Sequence, residues 1–131
     1  MIRRDDRLRD LPLVFVYGAE AHAVDEWDIQ SARYTHDGRP MAVKQPTCDS
    51  ERVGAAQAFC AAYMDPARDA PTTVVAVDPV DSGLQEVVGS WPLRLVVSSP
   101  AGVILHVSEL THTTHRLPPV FKAWLGAAYD G

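Results

Sequence analysis

The sequence predicts an α+β fold: a mostly antiparallel sheet of about six strands with two main helices, in the order βββα-βββα. Three observations predict it. Asp37-Gly38 sits between two extended runs, where it supplies the positive φ angles of a tight hairpin turn. Runs rich in Val, Leu, Ile and Thr recur in both halves, as in "LPLVFVYG", "TTVVAVD" and "WPLRLVVSSPAGVILHV". Each half then ends on a stretch whose apolar residues return at helical spacing, at 49–64 and at 118–129. The repeated order also admits a pseudo-duplication of one βββα unit, an idea that rests on element order alone because the halves share no matching residues.

Residues 1–10, "MIRRDDRLRD", mix both charge signs and read as a charged, solvated arm ahead of a single α+β domain over 11–131. In "LPLVFVYG", residues 13–17 are apolar throughout and stop at Gly18, the pattern of a central strand buried on both faces. "AEAHAVDE" at 19–26 holds helix formers but is short, and reads as a loop or a single turn. Pro40 lacks an amide hydrogen, which confines the second hairpin strand to an edge. After Pro46 the period changes. Val53, Ala56, Cys60, Tyr63 and Met64 fall on one helical face, with Asp49, Glu51, Arg52 and Gln57 elsewhere. Thr47 or Asp49 is placed to cap this helix and Pro66 to stop it.

In the second half, "TTVVAVD" reads as a strand and "DPVDSG" as a turn. "WPLRLVVSSPAGVILHVSEL" reads as two strands joined through Ser-Ser-Pro-Ala-Gly. "PPVFKAWLGAAYDG" puts prolines in a first helical turn, where a missing amide hydrogen costs little. It aligns Val120, Phe121, Trp124, Leu125 and Ala128 as an apolar stripe.

At 131 residues, with 47% of them hydrophobic and 22% charged, the chain suits one domain that folds without cross-links. The net charge of -5 is mild, and acidic residues spread through both halves leave no basic footprint, so nucleic acid is not an expected partner. No apolar run reaches the roughly 18 residues that a membrane span requires, so no membrane is expected either. The opening basic residues precede an apolar stretch too short for a secretory leader, which reads as a cytoplasmic chain. If Cys48 and Cys60 share one helix they lie about 18 Å apart at 1.5 Å per residue, beyond disulfide reach. Free thiols fit a reducing compartment.

The chemical candidates begin with "SELTHTTHRLPP". Glu109, His112 and His115 recur at every third residue and His106 lies just upstream, a set of the right types for a zinc or iron site. The spacing argues otherwise. Two steps of three sweep about 120° of arc on an α-helix, and in a strand positions three apart face opposite sides. The stretch reads as a polar strand-to-helix connector.

Cys48, at a helix N-terminus, is a candidate nucleophile through the helix dipole, but Asp49 and Glu51 beside it disfavour a thiolate. Asp78 and Asp81 follow a strand, where loops often present carboxylates, though turn formation around Pro79 and Gly83 explains both. No phosphate-cradling loop, nucleotide fingerprint or HExxH is present, and no cofactor is implied. Aromatic residues supply the other surface. Trp91, Phe121, Trp124 and Tyr129 are the candidate interaction residues, because aromatic side chains dominate binding hot spots.

The function these features predict is a small, non-catalytic cytoplasmic protein that recognises another protein or a small ligand, a homodimer being one such assembly. The alternative is a small hydrolase built on His106, Glu109, His112 and His115, with or without a metal, or on a Cys48 nucleophile.

Overall fold

The computed structural model describes residues 12–28, 35–36, 39–40, 42–69, 72–91 and 93–108. Along them run β1 (Leu13–Tyr17), β2 (Thr35–His36), β3 (Arg39–Pro40), α1 (Asp49–Tyr63), α2 (Pro66–Asp69), β4 (Thr73–Val77), α3 (Gly83–Val88), β5 (Val96–Ser98) and β6 (Ile104–Val107). They divide into two units, one within Asp10–Val87 and one from Val88 onward. The helix expected at 118–129 and the arm at 1–10 lie outside the described residues.

Among the described residues a single, mostly antiparallel six-stranded sheet does not form. The described strands pair two by two: β1 with β4 in parallel, β2 with β3 and β5 with β6 antiparallel. The strand runs themselves were legible, but apolar patterning carries no information about a partner's direction. The long stretch between Tyr17 and Thr73 contains α1, and a crossover through a helix is what returns a strand parallel to its predecessor. Nor does βββα repeat among the described residues: α3 follows β4 directly, a helix that the expected order does not contain, which removes the element order on which a pseudo-duplication depends.

In the first unit, β1 and β4 run in register from Leu13↔Thr73 to Tyr17↔Val77. α1 supplies the aromatic packing for this pair. The Phe59 ring stacks on Phe15 at 5.1 Å and 9°, and meets Tyr17 at 5.9 Å and Tyr63 at 5.0 Å. The alternation of β1 is therefore one-sided: Leu13, Phe15 and Tyr17 are half-buried, while Val14 is 63% exposed and its register partner Val74 62%. A β1 buried on both faces is thus corrected.

The helix expected at 49–64 forms as Asp49–Tyr63, with Met64 as its C-cap and Pro66 just beyond. Its buried line differs from the expected one. Arg52 and Ala56 are buried and Phe59 is half-buried, whereas Val53 and Tyr63 are largely exposed. The cause is Arg52, whose guanidinium has carbonyl partners inside and so goes where a charge was not expected. Cys48 is the N-cap and makes no side-chain cap bond. Instead Glu51 Oε2 accepts the Thr47 amide and the Thr47 hydroxyl, each at 2.8 Å. Those bonds hold the exposed Glu51 carboxyl below its ordinary range.

β2 and β3 pair antiparallel as His36↔Arg39 and Thr35↔Pro40, the pairing expected of a hairpin here, while Asp37 and Gly38 themselves lie outside the described residues.

In the second unit β5 and β6 form a hairpin with an irregularity between Val97 and Ser98. Its turn closes through Gly102 N–H to Ser99 O at 2.9 Å, with Gly102 at φ 81°, a conformation that glycine adopts without strain. The open end is tied by Ser108, whose amide donates to Leu95 O while its hydroxyl accepts the Leu95 amide, both at 2.9 Å. Arg94 Nη1 donates to Val88 O at 3.2 Å, satisfying a carbonyl at the end of α3 where Gly89 turns at φ 60°.

Among the described residues no helix is long and apolar enough to cross a membrane.

Candidate functional site

In a parallel βαβ arrangement the chain leaves both strands at the same end, so the loops beyond the carboxyl ends converge. Here β1 runs out into Gly18–Glu20 and β4 into Asp78–Pro79. The two exits are joined by the Asp78 amide donating to Tyr17 O at 2.9 Å. Arg52, in the first turns of α1, reaches this edge.

Asp78 is 4% exposed, and its carboxylate accepts the amides of Leu84 at 3.0 Å and Gln85 at 2.9 Å, satisfying two of the N–H groups that begin α3. Arg52 is 3% exposed, and its Nη1 donates to Asp78 O at 3.0 Å and to Pro79 O. From the same helix, Asp49 Oδ1 accepts the Val80 amide at 2.9 Å. The β4–α3 loop is thereby clasped by α1 at three carbonyl or amide groups. Ser82 in that loop has φ 57°, a left-handed conformation that an L side chain rarely takes.

Glu20 lies in the other loop, three residues beyond the end of β1. Gln45 pins its backbone from both sides, Oε1 accepting the Glu20 amide at 3.0 Å and Nε2 donating to Glu20 O at 3.1 Å. The Gln45 amide in turn donates to Asp25 Oδ1 at 2.9 Å, and Nε2 also reaches Glu26 Oε2 at 3.2 Å. Burial holds the Glu20 carboxyl above its ordinary range, and the Arg52 charge draws it partway back. Two atoms here are buried with no hydrogen-bond partner among the described residues: Glu20 Oε1 and Arg52 Nε. A buried polar atom left unbonded costs about 1–3 kcal/mol, so such atoms are sparse in folded proteins and mark places where a further group completes the bonding.

A hollow of about 400 Å³ is lined by Asp25, Lys44, Gln45, Thr47 and Glu51 among others, and does not include Glu20 or Arg52. Its volume lies within the range of small-molecule sites, roughly 300–1,000 Å³. Its walls mix both charge signs.

Of the residues singled out from sequence, His106 lies on β6 and is half-buried, and Glu109, His112 and His115 lie outside the described residues. Among the described residues no group of three His, Cys, Asp or Glu is arranged to hold a metal ion. Trp91 is 38% exposed, while Phe121, Trp124 and Tyr129 lie outside the described residues. Cys48 is exposed and free, its Sγ 3.1 Å from Ser50 Oγ, and Cys60 is also free. Asp81 Oδ1 accepts the Gly83 amide at 3.3 Å, the local turn bond its sequence context suggests.

Sequence reasoning missed Glu20, Gln45 and Arg52. The signal available is positional: Glu20 follows β1 by three residues and Asp78 follows β4 at once, but the parallel pairing that brings the two exits together is not visible in the sequence. No family model, curated protein or solved structure matches this chain.

Proposed function

We propose that this protein is a small non-catalytic binding protein of the cytoplasm that takes a small polar ligand at the carboxyl edge of the β1–β4 pair. The observation that carries the reading is the pair of buried, unbonded atoms, Glu20 Oε1 and Arg52 Nε, at the end of a parallel pair where α/β proteins commonly bind ligands. One is an acceptor and the other a donor, so a ligand with both functions completes them together. Both residues are held in place before any ligand arrives, Glu20 by Gln45 and Arg52 by the Asp78 and Pro79 carbonyls, and such preorganisation lowers the ordering cost of binding.

The test is a titration of isotopically labelled protein with small carboxylates, amides and amines, followed through backbone amide shifts. Shifts concentrated at Glu20, Gln45, Asp78 and Gln85 are the expected result. A set of compounds that leaves these amides unmoved, or that moves only residues elsewhere, refutes the reading.

A further inference from the structure

The hollow of about 400 Å³ gathers side chains of opposite charge around one cavity. Three segments contribute to it: Asp25 from the loop after β1, residues 44–47 ahead of α1, and Glu51 and Ala55 from α1 itself. Its lining is divided. Pro46 is buried and Ala55 half-buried, which makes an apolar base, while Asp25, Lys44, Thr47 and Glu51 are exposed and make a charged rim.

The two acids are held in place by the backbone around them. Val24 N–H donates to Val43 O and Gln45 N–H donates to Asp25 Oδ1, both at 2.9 Å, so the Asp25 loop is tied to the chain on either side of Lys44. Glu51 Oε2 accepts the amide and the hydroxyl of Thr47, bonds that hold its carboxyl below the ordinary range and keep it ionised near neutral pH. Neither acid is saturated, because a carboxylate offers about four lone-pair sites. Lys44 lines the same hollow, yet its ammonium pairs with no carboxylate among the described residues.

A simple amine entering this hollow meets the like charge of Lys44, and a simple carboxylate meets the like charges of Asp25 and Glu51. A molecule that carries both groups sets each against its opposite. We propose that the hollow binds a zwitterionic α-amino acid with a small apolar side chain. Its ammonium group donates to Asp25 and Glu51, its carboxylate accepts from Lys44, and its side chain rests on Pro46 and Ala55. This site is separate from the β1–β4 edge, since neither Glu20 nor Arg52 lines it.

The probe is L-valine, titrated into isotopically labelled full-length protein and followed through backbone amide shifts. Its methyl ester, which lacks the carboxylate charge, and its N-acetyl derivative, which lacks the ammonium charge, are titrated beside it. Valine is expected to shift the amides of Lys44, Thr47 and Glu51, and each derivative to bind about fivefold more weakly, the worth of an exposed ion pair. In Lys44→Gln the partner of the carboxylate is gone, so valine and its methyl ester should bind alike; far-UV circular dichroism confirms that this variant is folded. A methyl ester or N-acetyl derivative that binds the native chain as tightly as valine overturns the inference. So does a preference for valine over its ester that survives in Lys44→Gln, or a titration in which Lys44, Thr47 and Glu51 do not move. The amides of Glu20 and Asp78 report the β1–β4 edge separately, so failure at either place is read without the other.

Discussion

Replacing Asp78 by Ala removes a side chain that bonds the start of α3 to the end of β4. Its two oxygens each accept a backbone amide, from Leu84 and Gln85, in a position only 4% exposed. Hydrogen bonds to a charged partner contribute about 1.5–3 kcal/mol each, and loss of a helix cap costs about 0.5–2 kcal/mol. Part of the loss is recovered, since water can reach the helix start once the side chain is gone. The expected destabilisation is therefore about 2–4 kcal/mol. Asp81→Ala is the internal control. It removes one exposed 3.3 Å bond to the Gly83 amide, and surface changes of this kind stay within about 0.5 kcal/mol. The assay is urea unfolding followed by tryptophan fluorescence and circular dichroism, with the slope of the transition compared so that a change in midpoint reports stability. Two variants that lose the same amount, or an Asp78→Ala that loses less than about 0.5 kcal/mol, would refute the assignment of Asp78 as the buried cap of α3.

Other outcomes follow from the same geometry. Burial raises the Glu20 titration in the folded chain, so the protonated form favours folding. That contribution is fully present below the ordinary value of 4.5 and is lost as pH rises through the raised one, and unfolding of Glu20→Gln across pH should lack this decline toward neutrality. Phe59→Ala removes the ring shared by Phe15, Tyr17 and Tyr63. Because Phe59 is half-buried, the cost should fall below the fully buried range, at about 2–3 kcal/mol by urea unfolding. Gly54 lies on the exposed side of α1 with nothing within 4 Å of an added Cβ, so Gly54→Ala should stabilise by about 0.5–1 kcal/mol, read as a higher midpoint. Gly89→Ala, at φ 60°, should destabilise by about 1–2 kcal/mol in the same assay.

The fold was legible where local chemistry decides it. Asp37-Gly38 marked the β2–β3 connection, the change of period after Pro46 marked α1, and Ser-Ser-Pro-Ala-Gly marked the β5–β6 turn. Pairing was not legible, because Leu13–Tyr17 and Thr73–Val77 have the same apolar character whether they run parallel or antiparallel. The inward face of α1 was misjudged through Arg52. Periodicity sorts residues by hydrophobicity, and a buried arginine bonded to the Asp78 and Pro79 carbonyls breaks that rule for a reason located elsewhere in the chain. The candidate site failed to show in the sequence for the same cause. Glu20, Gln45, Arg52 and Asp78 are scattered along the chain and are brought together only by the parallel return of β4, so no spacing motif could have joined them.

The central claim is that Glu20 and Arg52 hold a donor and an acceptor ready for a third party. A high-resolution crystal structure of the protein soaked in acetamide tests it most directly. An amide whose N–H donates to Glu20 Oε1 and whose carbonyl accepts from Arg52 Nε is the predicted result. Glu20 and Arg52 bonded to one another as a closed ion pair, with acetamide excluded, would contradict it.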